Sequence, residues 1–424
     1  MTPQAPQAPR APQAPSAPTG TTSRRGLLRA LGLGTAGLGA AALAACTPEG
    51  PEGAPTSAET PSPPIDPTPA LLGEQATVVD PTTLRLPLEM LVMIVVDPGW
   101  TAAPQQLDGI FLGHRRDGDA VRFTAVDQDG TALWTARRPL GCEAAVLTRD
   151  DSARAVAVLA DLAEDGVTTL TGYRLRGAEQ LWGPVAVPGP SVGPGLLVAA
   201  ADGSGRAVLD AVSGETVLAE ADLDGGRLLA EHLGTVLLAD GEELVARDGP
   251  SGTERWRAPA PAGLDLATAE VAGRIDPTTS HAVLVGPDGT GALLDLADGR
   301  VLADGITAAA HDHAMDTTVV TAGRTVRGLA ADGSETWRHE DPEQLVLITA
   351  GERLAYAQRP EEGTLVVLDT SQGRMVDPYD VDLEGPLAVP ELFSADAATS
   401  VHVEDTRYLV TTTLDEGYGL RDQG

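Results

Sequence analysis

The feature that most constrains the fold of this chain is a short sequence motif that recurs along most of its length. Residues 125–134 have the sequence Ala-Val-Asp-Gln-Asp-Gly-Thr-Ala-Leu-Trp, which predicts a strand, a tight turn ending in glycine and a second strand. Similar turns recur at seven glycines: Gly130, Gly177, Gly214, Gly252, Gly299, Gly333 and Gly373. Their average spacing of about 40 residues is the length of one four-stranded propeller blade.

The glycine and the tryptophan of this motif have separate physical roles. A hairpin between right-twisted strands needs a residue with positive φ, which glycine adopts without a Cβ clash. Four of the five tryptophans follow their turn glycine by four or five residues, and only Trp100 lies outside this pattern. In three repeats the tryptophan position holds another residue: Leu218, Ala303 or Asp377. The repeat is therefore degenerate, as expected when each blade adapts to its neighbours.

These repeats resemble the blades of the PQQ-like (quinoprotein dehydrogenase-like) propeller family, and the resemblance covers most of residues 84–414. The resemblance implies an all-β fold, a β-propeller of four-stranded antiparallel blades. It also implies a blade-docking role, between adjacent blades, for four tryptophans: Trp134, Trp182, Trp256 and Trp337. The seven repeats and the remaining predicted strands allow seven or eight blades, and eight is favoured.

Apolar runs predict where the first and last blades lie. The run 88–96 predicts the innermost strand of a first blade, completed by 110–112, 120–126 and 132–135. A similar set comprises 344–349, 353–358, 364–368 and 335–338. The segments 400–403 and 407–413 predict two further strands. With early strands predicted at 77–79 and 83–88, they make a last blade from both chain ends. Such closure removes exposed sheet edges.

The first 70 residues predict how the protein is exported and anchored, rather than part of its folded domain. Residues 1–22 are a Gln-Ala-Pro tract that is expected to be disordered, or that lies before the true start codon. Residues 23–45 resemble a lipoprotein signal, since Arg24 and Arg25 resemble a twin-arginine export motif and Leu-Ala-Ala-Cys46 resembles a lipobox. The alternative, a transmembrane helix, needs about 20 strongly apolar residues. Residues 46–70 predict a Pro-rich tether, and residues 71–424 the propeller.

The charge of the chain excludes one class of partner. The formal net charge is −32, and removal of the residues before Cys46 leaves 61 acids against 25 arginines. A field of this sign repels nucleic acid and anionic headgroups. Nucleic-acid binding is therefore not expected.

Few residues form a chemical motif. With Cys46 assigned to a lipid, Cys142 is expected to be a lone, buried thiol. His311 and His313 have the alternate spacing of two metal ligands on one strand face, but a zinc site needs three or four ligands. Asp-x-Asp-Gly pairs at 127–130 and 222–225 are fragments of calcium loops that fit turns better. We therefore predict no catalytic, cofactor-binding or metal-binding residues, and no cofactor.

Two classes of function remain at this stage. The first is a non-enzymatic, monomeric lipoprotein on the extracytoplasmic face of the cell membrane, whose propeller binds a protein partner or an envelope ligand. The second is a propeller enzyme, either a quinoprotein dehydrogenase using PQQ and calcium or a hydrolase or lyase. The first is favoured because the chain has no adjacent cysteines, and its tryptophans are mostly used by the repeat.

Overall fold

The computed structural model describes residues 65–163, 165–200 and 203–414. In these residues the chain forms eight antiparallel sheets, which are the blades of one β-propeller. The fold class and the preference for eight blades are therefore confirmed. The predicted tract 1–22, the signal 23–45 and residues 46–64 of the tether 46–70 lie outside the described residues.

Three strands and two short 3₁₀ turns precede the first full blade. The strands are β1 (Ala70–Gln75), β2 (Thr77–Val79) and β3 (Met93–Trp100), and the 3₁₀ turns are Pro81–Thr83 and Leu88–Met90.

Blades 1 to 4 follow in chain order, each listed from its innermost strand outward. Blade 1 has β4 (Gln105–Leu107), β5 (Ile110–Asp117), β6 (Ala120–Asp127) and β7 (Thr131–Pro139). Blade 2 has β8 (Ala145–Arg149), β9 (Ala155–Leu162), β10 (Thr168–Arg174) and β11 (Gln180–Ala186). Blade 3 has β12 (Leu197–Ala199), β13 (Arg206–Leu209) and β14 (Thr216–Ala219), and a single bridge from Ser191 to Val198 stands for its innermost strand. After a 3₁₀ turn at Glu220–Asp222, blade 4 has β15 (Arg227–His232), β16 (Thr235–Asp240), β17 (Glu243–Asp248) and β18 (Glu254–Pro259).

Blades 5 to 8 complete the ring. Blade 5 has β19 (Glu270–Ala272), β20 (His281–Val285), β21 (Gly291–Asp295) and β22 (Val301–Ile306). Blade 6 has β23 (Ala308–Asp312), β24 (Thr317–Ala322), β25 (Thr325–Leu329) and β26 (Glu335–Glu340). Blade 7 has β27 (Val346–Gly351), β28 (Leu354–Arg359), β29 (Thr364–Asp369) and β30 (Met375–Val376). Blade 8 begins with β31 (Val389–Phe393), β32 (Thr399–Val403) and β33 (Thr406–Leu414).

The last blade is built from both ends of the described chain, as the sequence predicted. Its strand order is β31-β32-β33-β3-β2, and β3 pairs with β33 through Val95 with Val410 and Val96 with Leu409. The order does correct one prediction, because the apolar run 88–96 is not the innermost strand of blade 1. Val95 and Val96 are fully buried because the outer strand of blade 8 lies between two neighbouring blades. Burial on both faces therefore does not distinguish an inner strand from an outer one.

Two other strand predictions differ from the structure. Residues 335–338 belong to β26 and close blade 6, rather than the blade formed by 344–368. A blade's fourth strand follows its third in sequence, and Asp341–Leu345 then leads to the next blade. Residues 83–88 are not a strand, although Arg85 and Pro87 make isolated bridges to Leu387 and Tyr379.

A short N-terminal strap crosses the boundary between blades 8 and 1. Its first part, β1, pairs with β7 as a fifth strand of blade 1, and its second part, β2, pairs with β3 as a fifth strand of blade 8. Between them, the backbone N–H of Ala76 donates to the carbonyl of Gly130. The strap therefore covers two outer strand edges at the place where the ring closes.

The core lies between the blades rather than within any one of them. One apolar cluster joins Leu112 and Trp134 of blade 1 to Leu159 and Tyr173 of blade 2, and similar clusters lie at the other boundaries. The turns between first and second strands and between third and fourth strands emerge on the same face of the ring, which we call the turn face.

Candidate functional site

The turns between the third and fourth strands share one geometry in five blades. In each, the backbone N–H of the fifth residue donates to the carbonyl of the first at 2.7 or 2.8 Å. The five turns are Arg174–Ala178, Asp210–Gly214, Asp248–Gly252, Asp295–Gly299 and Asp369–Gly373. The fifth residue has positive φ in every case, and in blade 2 it is Ala178 (φ 54°) rather than the predicted Gly177. Trp182 thus follows its left-handed residue by four positions, like the other tryptophans.

The indole of each repeat tryptophan reaches across to the next blade. The Nε1–H of Trp134 donates to the Leu175 carbonyl at 2.6 Å, that of Trp182 to Ala211 at 2.8 Å, and that of Trp256 to Leu296 at 2.7 Å. Trp337 donates to Thr370 in the same way. In every case the acceptor is the second residue of the next blade's turn.

Small residues make room for each indole on both sides. Across the strand pair, Trp134 faces Ala125, Trp182 faces Gly172 and Trp337 faces Gly328. In the next blade, a Cβ at Gly214 would lie 2.5 Å from the ring of Trp182, and a Cβ at Gly299 or Gly373 would meet Trp256 or Trp337. Three of the turn glycines are therefore needed for indole packing as well as for their positive φ.

Trp100, which the repeat pattern left out, contacts a neighbouring blade in a similar way. It lies on β3, the fourth strand of blade 8, and its Nε1–H donates to the Thr124 carbonyl of blade 1 at 3.0 Å. A Cβ at Gly113 would lie 2.6 Å from its ring. No turn glycine precedes it because β3 comes from the opposite end of the chain, so the spacing rule could not find it.

The histidine pair singled out from the sequence lies in a larger polar cluster at blades 5 and 6. His311 Nδ1 lies 3.0 Å from the Thr318 hydroxyl, which also lies 3.3 Å from His281 Nδ1. His313 Nε2 lies 3.4 Å from Asp276. Burial lowers the pKa of His311 to about 4, whereas the contact with Asp276 raises the pKa of His313. Within residues 65–414, leaving aside the gaps, no group of three His, Cys, Asp or Glu side chains is arranged to hold a metal ion.

Buried carboxylates in the ring are held by hydrogen bonds within the protein. Glu231 accepts bonds from the Thr148 hydroxyl and from the backbone N–H groups of Leu196 and Gly234, which links blades 2, 3 and 4. Burial raises the pKa of Glu231. Asp341 pairs with Arg359 at 2.8 Å, and this guanidinium holds the pKa of Asp341 below its usual range. These carboxylates are engaged in joining structural elements.

The other sequence candidates have these positions. Asp127 accepts backbone N–H bonds from Asp129 and Thr131, so its carboxylate caps a turn. Cys142 is fully buried but disulfide-bonded, and its partner lies outside the described residues. The prediction of a lone thiol is therefore wrong. Arg24, Arg25 and Cys46 lie outside the described residues, and within those residues no helix is long and apolar enough to cross a membrane.

Fold and repeat together define an eight-bladed propeller of the PQQ-like repeat class, as the sequence predicted. The sequence matches the family described as outer membrane protein assembly factor BamB over residues 188–411, just over half of the chain. The chain belongs to this family.

Solved structures with a similar fold share little sequence with this chain. BamB from Moraxella catarrhalis is 15% identical with a TM-score of 0.47, and the match covers 74% of this chain and 97% of that one. The C-terminal WD40 domain of Sif2 is 11% identical with a TM-score of 0.41, covering 80% and 98%. Sqt1 from Saccharomyces cerevisiae is 12% identical with a TM-score of 0.39, covering 81% and 100%. No curated protein matches the sequence.

Proposed function

We propose that this protein is a non-enzymatic, lipid-anchored propeller that binds a protein partner on the extracytoplasmic face of the cell membrane. The observation that carries the proposal is the family match over residues 188–411, which spans most of blades 3 to 8. The description of that family names an assembly factor, and assembly factors act by binding other proteins. The part carried over to this chain is the binding of a protein partner.

The anchor and the route of export are part of the same proposal. Arg24 and Arg25 direct export, and Cys46 carries the lipid, which leaves the propeller on a tether outside the membrane. The chain has two cysteines, so a lipid on Cys46 and an intrachain disulfide at Cys142 exclude each other. The state of Cys46 in the mature protein therefore decides between the proposed anchor and the disulfide bond that Cys142 forms in the structure.

The charge of the exported chain favours a basic partner surface. With 61 acids against 25 arginines after Cys46, the propeller attracts positively charged segments and accelerates their association at low salt. The blades expose turns on both faces, and such loops are where binding residues concentrate. We propose that the propeller acts as a monomer.

Site-specific photo-crosslinking in living cells tests the binding function. A photoreactive phenylalanine replaces Val212 on the turn face or Val167 on the opposite face, whose exposed fractions are nearly equal at 42% and 41%. The proposal predicts that one protein recurs among the adducts of one face. It also predicts that this protein, once purified, binds the soluble Cys46→Ser chain. The absence of a recurring adduct from either face, or stoichiometric PQQ in the purified protein, would contradict the proposal.

A further inference from the structure

Three arginines lie side by side across blade 1, near its end on the face opposite the turn face. Arg115 on β5 is directly opposite Arg122 on β6, and Arg122 is directly opposite Arg137 on β7. Directly opposite residues project from the same side of a sheet, so the three side chains form one row, which we call the arginine row. Like charges in such positions destabilise a sheet. The fold alone therefore does not account for the row, in a chain whose 61 acidic residues far exceed its 29 basic ones.

The acidic residues of the adjoining turn neutralise the arginine row only in part. The Nε–H of Arg122 donates to Asp117 at 2.7 Å, and Arg137 lies 3.6 Å from Asp119. Arg115 is exposed, and its guanidinium forms no ion pair with any residue in the described ranges. Three guanidinium groups beside two carboxylates leave one net positive charge and several N–H donors without a partner in the row.

Exposed guanidinium groups in this arrangement favour an anion from outside the protein. A guanidinium has five N–H donors in a planar fork, which matches the oxygen atoms of a phosphate or a carboxylate. The side chains of Arg122 and Arg137 are 38% and 45% exposed, so donors of the row face solvent. Neighbouring strands are about 4.8 Å apart, so the row extends over about 10 Å. It therefore fits a surface that carries several phosphates better than one small anion.

The chain leaves toward the proposed lipid anchor beside the outer end of the arginine row. β1 runs antiparallel to β7, with Ala70 opposite Thr135. The residues before β1 therefore continue toward the outer end of the row, where the guanidinium of Arg138 donates to the Pro67 carbonyl at 2.7 Å. If Cys46 is held in the bilayer, the tether keeps this end of blade 1 at a high local concentration beside the lipid headgroups.

We propose that the arginine row binds the phosphate groups of anionic membrane lipids and thereby orients the anchored propeller with its turn face away from the bilayer. The inference rests on the lipid anchor proposed above and adds a second contact to it. The acidic surface elsewhere repels such headgroups, so the contact is confined to the row. Charges on distant blades do not cancel it, because salt screens them beyond about 8 Å at physiological ionic strength. The turn face is left free for the protein partner.

Cosedimentation of the purified Cys46→Ser chain with lipid vesicles at low salt tests the row without the anchor. The vesicles consist of phosphatidylglycerol or, as the control, of phosphatidylcholine. We expect binding to the phosphatidylglycerol vesicles alone.

Variants of the row test which side chains are responsible. Arg115→Gln should weaken vesicle binding about fivefold, and the double variant with Arg137→Gln about 25-fold, because each arginine near an anionic surface contributes similarly. Arg115→Lys keeps the charge and should retain most of the binding. Arg374→Gln is the matched control, because Arg374 is an exposed arginine on the turn face without an ion pair to any described residue. It should change nothing.

Equal cosedimentation with phosphatidylcholine, or binding that Arg115→Gln leaves unchanged, would overturn the inference. Calorimetric titration with inorganic phosphate separates the two sources of the ligand. Phosphate binding that depends on Arg115, without vesicle binding, would assign the row to a free phosphate and overturn the lipid contact.

Failure of the row can be separated from failure of the proposed function. Loss of the lipid contact leaves the anchor and the protein partner intact, since the mass of the mature chain and the crosslinks test those. Vesicle binding that depends on the row, in a protein whose Cys46 carries no lipid, would overturn the anchor and retain the row as a lipid contact.

Discussion

Replacement of Trp134 measures how much one inter-blade indole contributes to stability. Trp134 is fully buried and donates to the Leu175 carbonyl of blade 2. A tryptophan buries about 250 Å² at most, which at about 25 cal/mol per Å² gives an upper limit of about 6 kcal/mol. Measured tryptophan-to-alanine changes in cores cost about 3–5 kcal/mol. We therefore expect Trp134→Ala to lower the free energy of unfolding by about 3–5 kcal/mol.

A second substitution separates packing from hydrogen bonding at the same position. Trp134→Phe retains an aromatic ring but leaves the Leu175 carbonyl without its donor, so it should cost less than the alanine variant. Urea unfolding, followed by far-ultraviolet circular dichroism, measures both. Trp256→Ala is the matched control, and it should cost less than Trp134→Ala because Trp256 is only half-buried. A cost under about 1 kcal/mol for Trp134→Ala, or a larger cost for Trp256→Ala, would refute the argument.

Three further predictions follow from the turns, a buried histidine and the anchor. Gly214→Ala should destabilise the protein by at least about 1 kcal/mol more than Gly252→Ala, because both residues have positive φ but only Gly214 contacts an indole; equal unfolding midpoints would contradict this. Burial lowers the pKa of His232 from 6.5 to about 4, so the unfolded state binds the proton first and stability falls as pH drops from 6.5 to 4. His232→Phe should remove up to about 3 kcal/mol of that fall, and an unchanged pH dependence of the unfolding free energy would argue against it. Cys46→Ser should release the protein from membranes on fractionation, and continued membrane retention would exclude the lipid anchor.

The repeat predicted the fold because its glycines and tryptophans are tied to fixed positions in a blade. A positive φ at the turn and an indole four residues later are local requirements, so they are visible in one sequence. The exceptions have physical reasons. Ala178 adopts the left-handed conformation expected of Gly177, and Trp100 belongs to a strand that joins the last blade from the other end of the chain.

The candidate sites depend on contacts between blades, which sequence spacing does not specify. His311 and His313 were found from their alternate spacing, but His281 joins them because the register of blade 5 places it beside Thr318 of blade 6.

The most direct test of the account is the intact mass and N-terminal peptide of the protein extracted from membranes with detergent. A lipid anchor predicts that the mature chain begins at Cys46 and carries a diacylglyceryl group on that sulfur. A chain that retains residues before Cys46, or that carries no lipid on that residue, would contradict the proposed anchor and with it the proposed location.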